Sequence, residues 1–296
     1  MPDPNEYYFS LLLKQIHIVT RENRLVRLLR NPFKPIYRRI LESIAGGRIP
    51  FLKLNISTFW GDHMQIILPE RSSSYMFKFG FWEEDVTAMM LKYLKSGDIF
   101  FDIGAHIGYF TLLGSRLVGP SGQVHSFEPS NWAFTTLKHN VHNKNNCTLN
   151  KKAAYSQETN LTFYDYGPTN SLYNSFFAIN AKEDIAKALK PEKCEVPTLS
   201  LDNYADEKNI IPSMVKIDAE TAEYDILLGM RNIIQKKKTI FIFEIGGFSR
   251  ENTPSALKAA KYILNEGYHA YQYSRGEIIP YVLKNEDHYK NVLFLP

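Results

Sequence analysis

Asp98–Leu113 reads D-I-F-F-D-I-G-A-H-I-G-Y-F-T-L-L, and this stretch decides the fold. A run of apolar residues ends in Asp102. Gly104 and Gly108 follow, with the small Ala105 between them, and then an apolar-periodic run restarts. Uninterrupted apolar residues, a glycine turn and a 3.6-residue period describe a buried parallel strand feeding a helix. Open α/β sheets bind ligands outside the carboxyl ends of such strands. Ile99–Asp102 is therefore expected as the central strand and Ile103–Gly108 as a cofactor loop.

The glycine spacing bears on which cofactor. A dinucleotide loop has G-x-G-x-x-G, so that the backbone can approach a pyrophosphate. Counting from Gly104, the second and third glycine positions hold His106 and Tyr109, whose side chains would crowd that group. The pattern present is D-x-G-x-x-x-G. Its carboxylate, Asp102, would repel a phosphate and welcome an ammonium. S-adenosylmethionine carries an α-amino group, a sulfonium and no phosphate, and so suits the loop. A plain glycine turn with a helix-capping Asp would give the same string.

Downstream the chain alternates. Gln123–Glu128 is a strand stopped by Pro129, Asn131–Asn143 a helix and Asn146–Ala153 a strand, which makes βαβ units and a parallel sheet. Glu128 stands at the second strand end, where an acidic residue hydrogen-bonds ribose hydroxyls in nucleotide-binding α/β folds. Leu161–Asp165 and Cys194–Leu199 read as flanking strands. Residues 166–193 between them form a polar, aromatic insertion with a helix expected over Lys182–Lys190, the candidate substrate cover. Val215–Asp218 and Thr239–Glu244 are buried strands ending in carboxylates, Ser255–Gly267 is a helix, and His269–Tyr273 and Asn291–Phe294 close the sheet.

Upstream, Phe51–Ser57 and Met64–Leu68 alternate around Trp60-Gly61-Asp62 and read as a hairpin. Tyr75–Trp82 is rich in aromatic residues, which wall a cofactor pocket or cap the sheet, and it leads to a helix near Val86–Lys95. Residues 21–48 hold eight basic residues against two acidic ones, a net +6 within a chain total of +4. Arg21, Arg24, Arg27 and Arg30 share one helical face with Leu25, Val26, Leu28 and Leu29 on the other side. That face is either solvated or a surface for anionic lipid or an anionic substrate. Ala45-Gly46-Gly47 and Pro50 suggest a boundary, with residues 1–50 a basic helical extension and 51–296 the main domain.

Composition narrows the class. Over 296 residues, 44% hydrophobic and 22% charged content describe an ordinary globular chain able to bury a core. Cys147 and Cys194 stand in no metal-binding spacing, so reduced thiols and no structural zinc are expected. No apolar run reaches membrane-spanning length, and Tyr7–Leu13 lacks the basic flank of a secretory signal. The expected compartment is the cytoplasm, with peripheral membrane contact through residues 21–48 as an addition.

G-D-I-F-F-D-I-G-A-H-I-G-Y, S-F-E-P-S, V-P-T-L-S-L-D-N-Y and V-K-I-D-A-E-T-A-E-Y-D-I-L-L-G-M together resemble the FkbM family of S-adenosylmethionine-dependent methyltransferases, over roughly residues 60 to 296. The resemblance implies a class I Rossmann-like α/β fold. Its sheet has seven mostly parallel strands, one of them antiparallel, with helices on both faces. It also implies O-methylation of a small hydroxylated molecule such as a sugar, a glycan or a polyketide-like product. Asp102, Gly104, Gly108 and Glu128 match cofactor positions, and His106, Pro129, Ser130 and Asp218 are assigned to the same site. His106 stands where the family has Asn, and Thr221 where it has Gly.

An alcohol is a poor nucleophile and must lose its proton as the methyl bond forms, so a positioned base is expected. The expected base is Glu220, with Asp218 orienting it or the substrate and His106 as the rival. A divalent metal on these acids is the alternative reading and not the expected one. An RNA methyltransferase usually shows a motif such as N-P-P-Y, which V-K-I-D-A-E lacks, so nucleic acid is not the expected partner. A non-catalytic nucleoside-binding protein is the remaining alternative.

Overall fold

A computed structural model describes residues 4–21, 43, 51–176, 190–219, 222–245, 256–284 and 290–296. At its centre is β3 (Ile99–Ile103), flanked by β4 (Gln123–Phe127) and β9 (Met214–Ile217), both parallel to it. Beyond β4 lies β5 (Cys147–Asn150). Beyond β9 lie β10 (Ile240–Ile245), the antiparallel β13 (Lys290–Leu295), β11 (His269–Ser274) and β12 (Glu277–Pro280). Seven of these strands are the expected set with its one antiparallel member. The eighth, β12, arises because Arg275 and Gly276 both take positive φ (51° and 92°), the geometry of a tight hairpin turn. S-R-G-E is a weaker sequence cue for that turn than N-G.

Both faces of the central strands are buried, as their continuous apolar runs demand. Phe100, Val124, Met214 and Ile242 face one core, under α3 (Glu84–Tyr93) and α4 (Tyr109–Val118). Phe101, Phe127, Val215 and Phe243 face the other. There they meet α6 (Leu201–Lys208), α7 (Glu223–Leu228), α8 (Arg231–Gln235) and α9 (Ala256–Asn265). Helix α5 (Asn131–Asn140) follows β4.

The expected strand over Asn146–Ala153 is two strands. After β5 the chain breaks, and β6 (Ala153–Ala154) pairs with β8 (Glu192–Leu199). β8 in turn pairs antiparallel with β7 (Asn160–Asp165). Thus Leu161–Asp165 and Cys194–Leu199 do not flank the main sheet; they build a separate three-stranded sheet beside its carboxyl edge. The helix expected over Lys182–Lys190 falls outside the described residues but for Lys190.

The hairpin is β1 (Leu52–Ser57) and β2 (His63–Leu68). The aromatic stretch after it lies largely on a helix, α2 (Arg71–Phe79). Glu70 caps this helix by accepting from Ser72 N (2.7 Å) and Ser73 N (2.6 Å). Helix α1 (Pro4–Arg21) packs on α3 with Leu12 fully buried, and Asn5 donates to the Leu94 carbonyl at 2.7 Å. Nearly all of the basic segment 21–48 lies outside the described residues.

Candidate active site

The site begins with strand register. Asp102 on β3 sits opposite Lys216 on β9 and Ser126 on β4, so three polar side chains lie abreast inside an otherwise apolar face. All three are buried. Thr111, on the first turns of α4, donates to Asp102 Oδ2 at 2.7 Å. Asp102 Oδ1 has no hydrogen bond among the described residues, and Lys216 Nζ lies 3.7 Å from it. The same ammonium donates to the Gly104 carbonyl (3.2 Å) and to Asp218 Oδ2 (3.3 Å). Burial pushes the Asp102 carboxyl up, against the pull of Lys216 and Thr111. Burial acts to lower Lys216, but the charges of Asp218, Asp102 and Glu83 outweigh it and hold its pKa above the ordinary value.

Past β3 the chain turns under tight constraint. Gly104 has φ 72°, and a Cβ there would lie 1.8 Å from the Asp218 carbonyl oxygen, so only glycine lets the two loops touch. His106 also takes positive φ (50°), a conformation that Asn accepts more readily. Its main-chain N–H donates to Glu128 Oε2 at 2.8 Å, while Ser130 N–H donates to Oε1 at 2.8 Å. Two backbone donors therefore fix the buried Glu128 carboxylate. Burial still pushes its pKa up to about 7, against the pull of those two bonds.

Between the β3, β4 and β9 ends opens a cleft with about 1040 Å³ of empty space, its solvent mouth included. Glu128, His106, Lys216 and Asp218 line its polar side, with Trp82 and Met76 among its apolar walls. Glu70 and Ser171 also line it, with Ser171 donating to Glu70 Oε1 at 3.5 Å. Ser171 belongs to the part of the 166–193 insertion that is described. Glu83 follows the cleft-lining Trp82 in the chain, and burial and then the Asp218 charge push it up to about 8, against the attraction of Lys216.

Residues 102–270 match the Methyltransferase FkbM domain, more than half of the chain. The chain belongs to the FkbM methyltransferase family. Among curated FkbM relatives, 31-O-demethyl-FK506 methyltransferase FkbM of Streptomyces tacrolimicus is 28% identical over 161 residues, 47% of this chain and 62% of that protein. The match thus spans less than two thirds of that relative. Hexuronic acid methyltransferase AglP of Haloferax volcanii is 22% identical over 180 residues, covering 60% of this chain and 69% of that one. The crystal structure of methyltransferase FkbM from Methylobacillus flagellatus KT superposes with a TM-score of 0.43 at 16% identity. That superposition covers 67% of this chain and 43% of the other.

In this FkbM-family chain, Gly104, His106, Glu128, Pro129 and Asp218 all line one cleft. Ser130 stands behind Glu128. Gly108 (φ 93°) serves packing: a Cβ there would lie 2.6 Å from Leu137 Cδ1. Asp102 lies beneath the cleft, and the ammonium that it faces is the chain's own Lys216. Glu220 and Thr221 lie outside the described residues.

Two charged residues, Lys216 in the cleft and Glu83 beside the cleft-lining Trp82 in the chain, escape the sequence reading. Lys216 had a signal: a lysine inside M-V-K-I, a strand buried on both faces, needs a buried counter-charge. Glu83 had none, because E-E-D at a helix start looks like ordinary dipole complementation. Among the described residues no group of three or more His, Cys, Asp or Glu is arranged to hold a metal ion, and no helix is long and apolar enough to cross a membrane.

Proposed function

We propose that this chain transfers a methyl group from S-adenosylmethionine to a hydroxyl of a small molecule. The observation that carries this reading is the Glu128 carboxylate, pinned by two main-chain N–H groups at the edge of the glycine loop and facing the cleft. A carboxylate held so accepts from ribose hydroxyls. The donor set also fits the rest of the molecule. Carboxylates and apolar walls suit a purine, a ribose and cationic groups, and they oppose phosphates. When bound, S-adenosylmethionine supplies an already activated methyl group.

The chain's own share is alignment and proton removal. Glu128 holds the ribose. Asp218 orients the acceptor or the base, Glu220 takes the acceptor's proton, and His106 is the rival for that role. Trp82 and Met76 keep water from the apolar side of the cleft. The two curated relatives, named for demethyl-FK506 and for hexuronic acid, support a small hydroxylated acceptor. The reading places the protein in the cytoplasm, with residues 21–48 able to meet an anionic membrane.

Calorimetry tests the cofactor half. S-adenosylhomocysteine should bind and NAD should not, and Glu128→Gln should weaken S-adenosylhomocysteine by roughly 10–100-fold, the worth of a charge-assisted hydrogen bond. Binding of NAD with no binding of S-adenosylhomocysteine would sink the proposal. Methyl-labelled cofactor incubated with host small molecules tests the acceptor half. Label recovered only in RNA would replace the small-molecule acceptor with a nucleic acid.

A further inference from the structure

A second carboxylate in the cleft is held as Glu128 is. Glu70 opens E-R-S at residues 70–72, as Glu128 opens E-P-S at residues 128–130. In each, the serine N–H two positions on donates to Oε1, at 2.7 Å for Ser72 and 2.8 Å for Ser130. Ser73 N–H (2.6 Å) and the Ser72 hydroxyl (2.7 Å) hold Glu70 Oε2. Glu70 is 1% exposed and lines the cleft together with Ser72, Ser171 and Asn174. It lies ahead of residues 102–270, so family membership assigns it no role.

Capping α2 does not use up this carboxylate. A carboxylate offers about four lone-pair positions. Three of them are met at 2.6–2.7 Å. Among the described residues the fourth, on Oε1, is approached only by the Ser171 hydroxyl, at 3.5 Å. That lies beyond the ordinary span of O–H···O bonds, about 2.5–3.0 Å. A buried acceptor met so poorly gains from a better donor. Asn174 accepts from Tyr166 N–H with Oδ1 at 2.7 Å, so its side chain brings N–H donors to the same cleft.

We propose that Glu70 accepts a hydrogen bond from a second hydroxyl of the methyl acceptor, in place of the Ser171 hydroxyl, and so selects a polyol. The inference rests on the methyl-transfer reading above and deepens it. An acceptor with a single hydroxyl uses that group in the reaction. Glu70 needs a further O–H on the same molecule, because an ionised carboxylate only accepts. It repels a carboxylate or phosphate placed there. The Asn174 N–H groups suit an oxygen of the same polyol. Glu70 is thus a specificity-determining residue. It positions the acceptor and takes no part in proton transfer.

The test starts from the product. Full-length protein and methyl-labelled S-adenosylmethionine are incubated with a small-molecule extract of the host, and the labelled product is purified. Hydrogen–deuterium exchange of its O–H groups, read by mass spectrometry, should count at least one hydroxyl besides the one methylated. The purified acceptor is then given to Glu70→Asp. Asp is a favoured N-cap, so it keeps the bonds from Ser72 and Ser73 N–H, while its carboxylate ends one methylene short of the present position. KM for the acceptor should rise by about tenfold, as for a lost hydrogen bond to a charged group, with kcat within about threefold of wild type. S-adenosylhomocysteine affinity and the unfolding temperature should not change, a split that a purely structural cap would not produce. Glu70→Gln keeps the reach and one oxygen acceptor, so its rise in KM should be smaller than that of Glu70→Asp.

An unchanged KM in Glu70→Asp overturns the proposal. So does an equal weakening of S-adenosylhomocysteine, which would move Glu70 to the cofactor. A product with no further hydroxyl overturns it on wild-type protein alone, and that count decides if Glu70→Asp does not fold. Label in no small molecule removes the methyl-transfer reading itself, a different failure from transfer to a molecule with a single hydroxyl.

Discussion

The two sides of the cleft treat a buried carboxylate in opposite ways. At the β4 end, Glu128 is satisfied by two main-chain N–H groups and meets no salt-bridge partner among the described residues. At the β3 and β9 ends, Asp102 and Asp218 share one lysine. Backbone donors are fixed by the fold and leave the outward side of the carboxylate free for a neutral hydroxyl. A lysine shared among acids leaves net negative charge that a cation can answer. One cleft thus has a half in which main-chain N–H groups hold a carboxylate and a half in which a shared lysine does, set by the kind of donor each strand end provides.

The largest test breaks the lysine side. Lys216→Met leaves Asp102 buried without a counter-charge and should cost about 3–5 kcal/mol of stability. Chemical denaturation measures it, and Asp102→Asn in the same background should recover a good part of the loss. A cost below about 1 kcal/mol would show that the lysine does not hold that side together.

A pH series sharpens the contrast. Glu128 titrates at about 7 in the folded chain, against 4.5 ordinarily. The folded state binds the proton more tightly, so the stabilisation is complete below about 4.5 and is lost as pH rises through about 7. Glu128→Gln should flatten that part of the stability curve by on the order of 3 kcal/mol. It should leave the fall that continues toward pH 8, where Glu83 titrates. A curve unchanged by Glu128→Gln would mean that its two backbone donors fully offset its burial.

The smallest expected effect is at the loop between the halves. His106 holds positive φ, its Nε2 has no partner among the described residues, and its ring meets Trp132 edge-on at 5.0 Å. His106→Asn relieves the backbone but loses the ring contact, so stability should move by no more than about 0.5 kcal/mol. Thermal unfolding checks this. A loss several times larger would make the ring contact the main support of the loop.

The same contrast explains what the sequence could reveal. The β3 strand, its loop and Glu128 are legible because each depends on local pattern: an apolar run, glycine spacing, an acid at a strand end. The Asp102–Lys216 pair depends on β9 lying beside β3, a neighbour separated from it by more than a hundred residues, and local pattern carries no such register. The small sheet escapes local pattern for a related reason. Ala153–Ala154 follows β5 closely in the chain, and only the break at Lys151–Lys152 hints that the chain leaves one sheet for another. The position of Glu83 is fixed by tertiary packing alone.

Ser130 joins regions described separately above. Its N–H holds Glu128, and its hydroxyl donates to Asp165 Oδ2 on β7 at 2.6 Å. The small sheet and the Glu128 side of the cleft therefore meet in one residue. Local opening of β7 would strip Ser130 of its acceptor and loosen the Glu128 carboxylate. Anything that tightens Glu128 is then felt as slower hydrogen exchange along β7 and β8, strands whose main-chain ladder touches no part of the β4 end.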